Sequence, residues 1–361
     1  MVVAVFHLGS LGDSVIAIPA LRAMRQHFGE SARIILFHER GSPGKVTPRQ
    51  VMEASVRLDE YMAYEASSNK IRQLWSAFQL WMKVRRLRVD MVFYLVTSER
   101  NARLIKRDRF FFQLCGVKQL FGFQSQPLEQ RAVRQNGRVV QYLSEMSFLL
   151  KKVKDSGIPA DSALLDPPFL NISLADQQAA DVFLKMTGFG EKDVWASLCP
   201  GTNMSSKRWD QKRWGEIVRR LASRGIRILL VGSLQERSEC EALATLAPGA
   251  IVAAGSLSPL ATAVAVARCR FHMGVDNGVG HLAGAMGIPC LELYSERNYP
   301  GQWDPPGKGH ILLRNPVPCQ GCQKKICPLE MHPCMNGISV ERVWDAVEAM
   351  IQSTLCSPGS E

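Results

Sequence analysis

The chain has 361 residues, of which 46% are apolar and 21% charged; this composition excludes a disordered or fibrous protein, and the length exceeds what one hydrophobic core normally serves. The formal charge of +11 attracts phosphates, whether on nucleic acid, on a nucleotide sugar or on an anionic membrane. Ten cysteines without a secretory leader indicate a reducing compartment.

The first apolar run, at 2–6, has no basic leader and breaks at Gly9, so it predicts a buried strand and not a signal peptide. No later apolar run approaches the roughly 20 residues that span a bilayer, and we expect a cytoplasmic protein. Short apolar runs alternate with amphipathic stretches, which is typical of α/β domains with parallel sheets. We predict strands at 2–6, 33–37, 91–96, 194–199, 226–232, 250–254, 271–275 and 289–294.

The glycine-rich turn GSLGD at 9–13 joins the first strand to a predicted helix. Such a turn lets a ligand approach the backbone, and amides at a helix start favour anions. Asp13 has two interpretations: an N-cap of the helix, or a base at the carboxyl end of a strand, where open α/β sheets bind ligands. We place Pro19 in the first turn of the helix that follows.

A basic stretch at 83–109 is nearly free of acidic residues. It is either a solvated helix face or a surface that meets an anionic membrane, and the sequence favours neither. Its cationic residues are Lys83, Arg85, Arg86, Arg88, Arg100, Arg103, Lys106, Arg107 and Arg109.

The strand–helix alternation pauses at 163–176, where two prolines stand among few strand formers. We therefore place a domain boundary there and predict one α/β domain over 1–170 and another over 171–361. The closing helix from Ser339 is expected to pack back on the first domain.

Three segments of the second half could contact phosphates. In PGTNMSSKRW at 200–209, hydroxyls and a lysine follow a strand, although the Walker A pattern is absent. In VDNGVGHLAG at 275–284, the amides of the first helical residues are expected to point outward and bind a diphosphate. Glu236 follows the strand at 226–232 and is either a ribose ligand or a first-turn glutamate. His281, taken alone, is more often a core residue.

Four cysteines near the C-terminus follow the pattern C-x2-C-x4-C-x6-C and are expected to pack together away from catalysis. The spacing permits a tetrahedral zinc site, while free thiols or a disulfide fit equally well. They are Cys319, Cys322, Cys327 and Cys334.

The ordered motifs GSLGD, PGTNMSSKRW and VDNGVGHLAGAMGIP together resemble glycosyltransferase family 9, the ADP-heptose:lipopolysaccharide heptosyltransferases, over nearly the whole chain. The resemblance implies the GT-B fold, with two Rossmann-like domains facing across a cleft, the acceptor on the first and the donor on the second. It also implies transfer of a heptose or similar sugar with inversion, without a metal or other cofactor. The donor would be a nucleotide sugar, ADP-heptose, and the acceptor a lipopolysaccharide core or related glycolipid at the anionic inner membrane.

Residue by residue, the resemblance makes Asp13 the general base and Lys207 the catalytic cation, with Thr202 on the diphosphate and Glu236 on the ribose. The remaining donor contacts would come from Asp276, Asn277, Gly278, Val279 and His281, and the acceptor contacts from His7, Ser10 and Gly12. Two positions depart from the family pattern, because Asn277 stands where Thr or Ser is usual and His7 where a basic residue is common.

Two other functions remain open at the level of sequence. A nucleotide-sugar epimerase, or a transferase using a GDP- or UDP-sugar, would need the same fold. A nucleic-acid-binding protein would use the basic stretch and a cysteine finger. We disfavour the latter and expect no nucleic-acid partner, because the glycine-rich strand ends would then serve no purpose.

Overall fold

A computed structural model describes residues 1–41, 45–65, 69–124 and 128–355. The chain forms two compact units, Met1–Val133 with Leu143–Asn171, and Arg134–Tyr142 with Ile172–Glu361. The main boundary lies one residue beyond the expected one. The segment 134–142, which we assigned to the first domain, instead belongs with the second unit.

The first unit contains a parallel sheet covered by helices. Its strands are β1 (Val2–His7), β2 (Arg33–Glu39), β3 (Glu60–Tyr64), β4 (Met91–Leu95) and β5 (Gln119–Phe121). Its helices are α1 (Leu11–Phe28), α2 (Pro48–Met52), α3 (Lys70–Arg86), α4 (Ala102–Leu114) and α5 (Glu145–Asp155). The strand order is β3-β2-β1-β4-β5, and the order reverses between β1 and β4. This is a Rossmann-like arrangement.

Helix α1 starts one residue after Ser10, which is the N-cap, and ends before Gly29, whose φ is +64°. We expected Pro19 in the first turn of a helix, but it lies in the interior of α1. Proline lacks the N–H for one intrahelical bond, and the neighbouring turns of α1 are buried, so tertiary packing retains the helix there. Pro19 is not in the first turn because the helix begins earlier than expected, directly at the glycine-rich turn.

The second unit repeats the design with six strands. They are β8 (Trp195–Cys199), β9 (Arg227–Leu230), β10 (Ile251–Val252), β11 (Phe271–Val275), β12 (Cys290–Tyr294) and β13 (Ile311–Arg314). A separate pair is formed by β6 (Ala132–Gln135), which begins in the first unit, and β7 (Arg138–Tyr142). The helices are α6 (Leu174–Met186), α7 (Gln211–Ser223), α8 (Arg237–Ala244), α9 (Pro259–Ala267), α10 (Gly278–Ala285), α11 (Pro333–Asn336) and α12 (Val340–Leu355). The order β10-β9-β8-β11-β12-β13 is parallel throughout and reverses between β8 and β11.

The closing helix α12 uses its apolar face within the second unit. Val343, Val347 and Met350 are fully buried in the same core as Trp214 of α7. The apolar face of α12 therefore covers the second sheet, and the expectation that the helix packs back on the first domain stays a prediction. Among the described residues, no helix combines the length and apolar composition needed to cross a bilayer.

Candidate functional site

The chemistry-bearing motifs follow the strands at which each sheet reverses its order. GSLGD follows β1, PGTNMSSKRW follows β8, and DNGVGH follows β11. In open α/β sheets, ligands bind outside the carboxyl ends of the strands at this reversal. Each unit therefore presents one candidate site.

In the first unit, Asp13 is held by its own turn. Its Oδ2 accepts hydrogen bonds from the backbone N–H of Ser10 at 2.8 Å and from the Ser10 hydroxyl at 3.1 Å. This is a capping box in which Ser10 is the N-cap and Asp13 the third helical residue, so the interpretation of Asp13 as the N-cap itself is wrong. Gly9 has φ +143°, and a Cβ there would overlap the Asp13 side chain. Glycine is thus required for this placement of the carboxylate.

His7, at the end of β1, is buried and uncharged. Its Nδ1 lies 3.1 Å from the Leu95 carbonyl, so that nitrogen carries the proton and donates. Burial lowers the pKa of His7 to about 4, with the Leu95 hydrogen bond opposing and neighbouring His38 adding to the shift. Within the described residues, Nε2 has no hydrogen-bond partner. The side chain therefore offers a neutral acceptor atom where the family resemblance implied a cation.

The loop after β4 is fastened by two residues of α5 that the sequence did not single out. Lys152 Nζ donates to the carbonyls of Val96 at 2.7 Å and Tyr94 at 3.2 Å. Glu145 accepts from the backbone N–H of Ser98 at 2.8 Å and from the Ser98 hydroxyl. Burial lowers the pKa of Lys152 to about 7. Because α5 has the sequence of an ordinary amphipathic helix, nothing in that sequence indicates that this lysine is buried.

Part of the basic stretch neutralises a buried acid. Asp108 is 7% exposed and accepts from the Tyr94 hydroxyl at 2.7 Å, from Arg100 at 2.8 Å and from Arg107 at 2.6 Å. Arg100 and Arg107 are thus committed at least partly to structure. The remaining cations of α3 and α4 are left to face solvent or a partner.

In the second unit, Lys207 and Asp276 form a buried ion pair at the ends of two neighbouring strands. Lys207 Nζ lies 2.8 Å from Asp276 Oδ2, and the two side chains are 12% and 3% exposed. Burial by itself would raise the pKa of Asp276, but the Lys207 charge and hydrogen bond outweigh it, and the pKa lies below its ordinary value. Asp276 is therefore ionised at neutral pH and keeps the lysine in place.

The side chain of Asn277 accepts hydrogen bonds from backbone amides that we expected to bind phosphate. Its Oδ1 accepts from Val279 N–H at 2.8 Å and Gly280 N–H at 3.4 Å, which makes it the N-cap of α10. Its Nδ2 donates to the Gly201 carbonyl at 3.0 Å. The prediction that the amides of Gly278, Val279 and Gly280 all point outward is therefore wrong for two of the three. Asn277 instead ties the loop after β8 to the start of α10.

A cavity of about 500 Å³ opens beside this loop. It is lined by Thr202, Asn203, Ser205, Arg208, Gln235, Glu236, Lys325 and Ile326. Glu236 Oε2 accepts from Ser233 N–H at 2.7 Å and from the Ser233 hydroxyl at 2.8 Å, a second capping box. Glu236 is thus a first-turn glutamate, as one of the two interpretations proposed, and its role as a ribose ligand stays a prediction.

His281 lies one turn into α10 and is 4% exposed. Burial lowers its pKa to about 4, with Asp276 opposing the shift and Lys207 adding to it. The ring meets Trp303 edge-on at 6.0 Å between centroids. Its Nδ1 has no hydrogen-bond partner within the described residues. His281 is therefore a neutral imidazole next to the Lys207–Asp276 pair.

A second buried polar group lies beneath α10 and was not predicted. His272 Nδ1 is 2.9 Å from the Ser197 hydroxyl, and its Nε2 is 3.5 Å from Glu292 Oε1. Burial lowers the pKa of His272 to about 3 and raises that of Glu292 well above its ordinary range, to which the Asp276 charge adds. His272 is thus uncharged at pH 7, and the two groups do not form an ion pair. A Cβ at Gly280 would lie 2.5 Å from Glu292 Oε1.

The four C-terminal cysteines are free thiols in the second unit. Cys319 is exposed, Cys322 and Cys327 are half-buried, and Cys334 is buried. Burial and, less strongly, the nearby thiols of the other three raise the pKa of Cys334. Within the described part of the chain, no group of three or more His, Cys, Asp or Glu side chains is arranged to hold a metal ion.

Comparison with known proteins agrees with these motifs. The model of glycosyltransferase family 9 (heptosyltransferase) matches residues 132–332. Lipopolysaccharide heptosyltransferase 1 of Pseudomonas aeruginosa is 32% identical over 167 residues, which cover 42% of this chain and 46% of that protein. The aligned segment thus spans less than half of that relative's length.

Two solved structures share the fold from end to end. A glycosyl transferase family 9 protein from Veillonella parvula has a TM-score of 0.71 at 18% identity, covering 98% of this chain and 97% of that one. The ADP-heptose LPS heptosyltransferase II of Escherichia coli has a TM-score of 0.67 at 15% identity, covering 98% and 99%. The expected α/β class with the GT-B fold is thereby confirmed. Because the family model matches more than half of a chain that carries the family's motifs in order, this chain belongs to glycosyltransferase family 9.

Proposed function

We propose that the protein transfers a heptose from ADP-heptose to a hydroxyl of a lipopolysaccharide core or related glycolipid, with inversion and without a metal ion. The observation that carries this proposal is the buried Lys207–Asp276 pair at the strand reversal of the second unit, near a nucleotide-sized cavity. The name of the Pseudomonas relative supports a heptose as the transferred sugar, and the name of the E. coli neighbour supports ADP-heptose as the donor. We also propose that it works at the cytoplasmic face of an anionic membrane, where its acceptor resides.

The second unit supplies the donor chemistry. The diphosphate leaving group needs positive charge where its own charge develops, in a site from which water is excluded. Lys207 has three N–H donors, and Asp276 accepts one of them at 2.8 Å, so the ammonium has donors for phosphate oxygens while its position is held. Thr202 offers a hydroxyl in the cavity, and Glu236 offers an acceptor for ribose hydroxyls.

The first unit supplies the acceptor chemistry. Asp13 accepts the proton of the acceptor hydroxyl as that oxygen bonds to the anomeric carbon, and the bond from this carbon to the diphosphate breaks and releases ADP. Attack from the face opposite to ADP inverts the anomeric centre. Ser10 occupies part of the hydrogen-bonding capacity of one carboxylate oxygen, and a carboxylate has about four acceptor sites. His7 is a neutral acceptor at the same strand end.

The decisive variant is Asp13→Asn. An asparagine Oδ1 can still accept from Ser10 and complete the capping box, so the fold should be retained while the proton acceptor is lost. We expect turnover to fall by about 10² to 10⁴, with the melting temperature and ADP affinity unchanged. Asp155→Asn, an exposed carboxylate paired with Lys151, is the matched control. Turnover near the parent value in a well-folded Asp13→Asn protein would disprove the role of Asp13.

The donor base is tested by thermal stabilisation. A ligand that binds only the folded state adds about 2.7 kcal/mol at a concentration of 100 Kd. We expect ADP to raise the melting temperature more than equal concentrations of GDP or UDP. A larger shift with GDP or UDP would assign another nucleotide sugar to the same cavity and refute ADP-heptose as the donor.

A further inference from the structure

Helix α3 exposes an apolar stripe. Ile71, Leu74, Trp75 and Phe78 are 78%, 71%, 59% and 45% exposed. Their spacing of three, four and seven residues puts all four on one face of the helix. The opposite face, with Leu80 and Val84, packs in the core of the first unit. The helix is therefore apolar on two sides, and the described residues of the chain cover only one of them.

The apolar surface continues onto α4. Phe110 and Leu114 are 59% and 56% exposed, and the Trp81 indole N–H donates to the Leu114 carbonyl at 3.1 Å, which joins the two helices. Along α3 the rings of Trp75, Phe78 and Trp81 follow one another at centroid distances of 5.8 Å. This row of aromatic rings forms a contiguous patch, unlike the isolated exposed apolar residues that are normal on a soluble surface.

The charges carried by these two helices are almost all positive. Helix α3 contains five basic and no acidic residues, and α4 contains four basic residues and one acid, Asp108. Asp108 is buried and bound by Arg100 and Arg107. The exposed cations include Lys83, Arg85, Arg86, Arg103, Lys106 and Arg109. An occupant of the patch must therefore accept apolar side chains and carry negative charge.

An anionic bilayer matches both requirements, whereas two other candidate partners do not. A second copy of the chain in a two-fold interface would set this cationic face against itself. Nucleic acid would attract the cations but offers no apolar layer for the aliphatic residues Ile71 and Leu74. An anionic bilayer offers headgroup phosphates and, a few ångströms deeper, an apolar layer in whose interface Trp and Phe are favoured.

We propose that the α3–α4 face, defined as Ile71, Leu74, Trp75, Phe78, Phe110 and Leu114 with the surrounding cations, inserts into the headgroup region of an anionic bilayer. The proposal deepens the proposed function, on which it rests for the idea of a lipid-borne acceptor. The face lies on the unit that carries Asp13, and α4 begins directly after the loop that Lys152 and Glu145 hold. Insertion would keep the acceptor-binding unit at the surface where a glycolipid headgroup is presented.

Vesicle binding of the full chain tests the face without any substrate. The apolar variant is Trp75→Gln/Phe78→Gln, and its control is Val182→Gln/Met186→Gln, two apolar residues of α6 that are at least as exposed as Phe78. The charge variant is Arg103→Glu/Lys106→Glu, with Lys185→Glu/Lys212→Glu as control. Arg107 is left in place because it neutralises buried Asp108.

The parent should cosediment with vesicles containing phosphatidylglycerol, less so at high salt, and not with pure phosphatidylcholine. The apolar variant should bind at least about tenfold more weakly, because two large side chains lose their burial, and the charge variant about fivefold more weakly per cation removed. Both controls should bind like the parent. Quenching of tryptophan fluorescence by brominated acyl chains should fall in Trp75→Phe while binding persists.

Two results would overturn the proposal: equal binding by parent and apolar variant, or a parent dimer in sedimentation velocity that the apolar variant dissociates without any vesicle binding by either. Transfer to a delipidated acceptor should be the same in all the variants. If the parent transfers no sugar to any acceptor but still binds vesicles as described, the proposed function fails while the membrane face stands.

Discussion

Replacing Lys207 by methionine should strip a buried carboxylate of its counter-ion. Asp276 is 3% exposed, Asn298 Nδ2 lies 3.4 Å away and is uncharged, and the charge of Arg314 acts on the carboxylate less strongly than that of Lys207. Breaking a buried pair by removing one partner usually costs about 3–5 kcal/mol, since the remaining charge is left without compensation. We expect Lys207→Met to lose that much free energy of unfolding at pH 7, measured by urea denaturation, and to lose ADP binding as well.

A double variant distinguishes the cost of leaving the Asp276 charge unpaired from the cost of losing the packing of the Lys207 side chain. In Lys207→Met/Asp276→Asn no charge is buried, so the protein should recover about 2 kcal/mol relative to Lys207→Met alone. Asp276→Asn alone should cost less than Lys207→Met, because the lysine is 12% exposed and its flexible stem can carry the ammonium to water.

The pH dependence has a definite sign. The folded pKa of Asp276 lies below its ordinary value of 3.8, so the pair contributes its full stability above that value and loses it as pH falls through the folded pKa. The difference between the parent and Lys207→Met should therefore shrink in acid, when Asp276 becomes protonated. A loss below about 1 kcal/mol at pH 7, or a double variant no more stable than Lys207→Met, would refute a charge-based role for this pair.

Two further changes test the buried groups that the sequence did not reveal. Gly280→Ala would place a Cβ 2.5 Å from buried Glu292 Oε1 and should cost about 1–3 kcal/mol of unfolding free energy. Adding Glu292→Ala in a double variant should restore part of that loss. Full stability of the single variant would show that the carboxyl group moves aside freely. Lys152 has a pKa of about 7 in the folded protein and 10.5 ordinarily, so the unfolded chain binds the proton more tightly. Between pH 7 and 10 the stability of the parent should therefore rise by about 4 kcal/mol relative to that of Lys152→Met. Parallel pH profiles of the two proteins in denaturation experiments would contradict this.

The sheets could be predicted where strands are buried on both faces. All eight predicted strands exist, because a central parallel strand such as β1 or β11 has a continuous apolar sequence. Besides the separate pair β6 and β7, the prediction missed β3, β5 and β13. These lie towards the sheet edges and are only partly buried, so their sequences mix polar and apolar residues and resemble loops.

The motifs identified which strand ends carry the site but not how its side chains pair. Ser197, His272 and Glu292 come from three neighbouring strands and meet only because of the sheet register, which the sequence does not disclose. The sequence also does not show that the Asn277 side chain caps α10, because that hydrogen bond depends on the final backbone; its contact with the donor stays a prediction. Lys152 was invisible because a lysine on a helix is normally solvated.

The two capping boxes place their carboxylates by the same local rule. GSLGD and GSLQE each begin with a glycine of positive φ, continue with a serine cap and end in an acid that bonds back to that serine. The five residues of each turn consequently determine where the carboxylate of Asp13 or Glu236 lies, and the preceding strand holds that turn in place. Each turn is a self-contained module, so it could be transplanted to the end of another parallel strand and still deliver a carboxylate at the same distance from that strand's last residue.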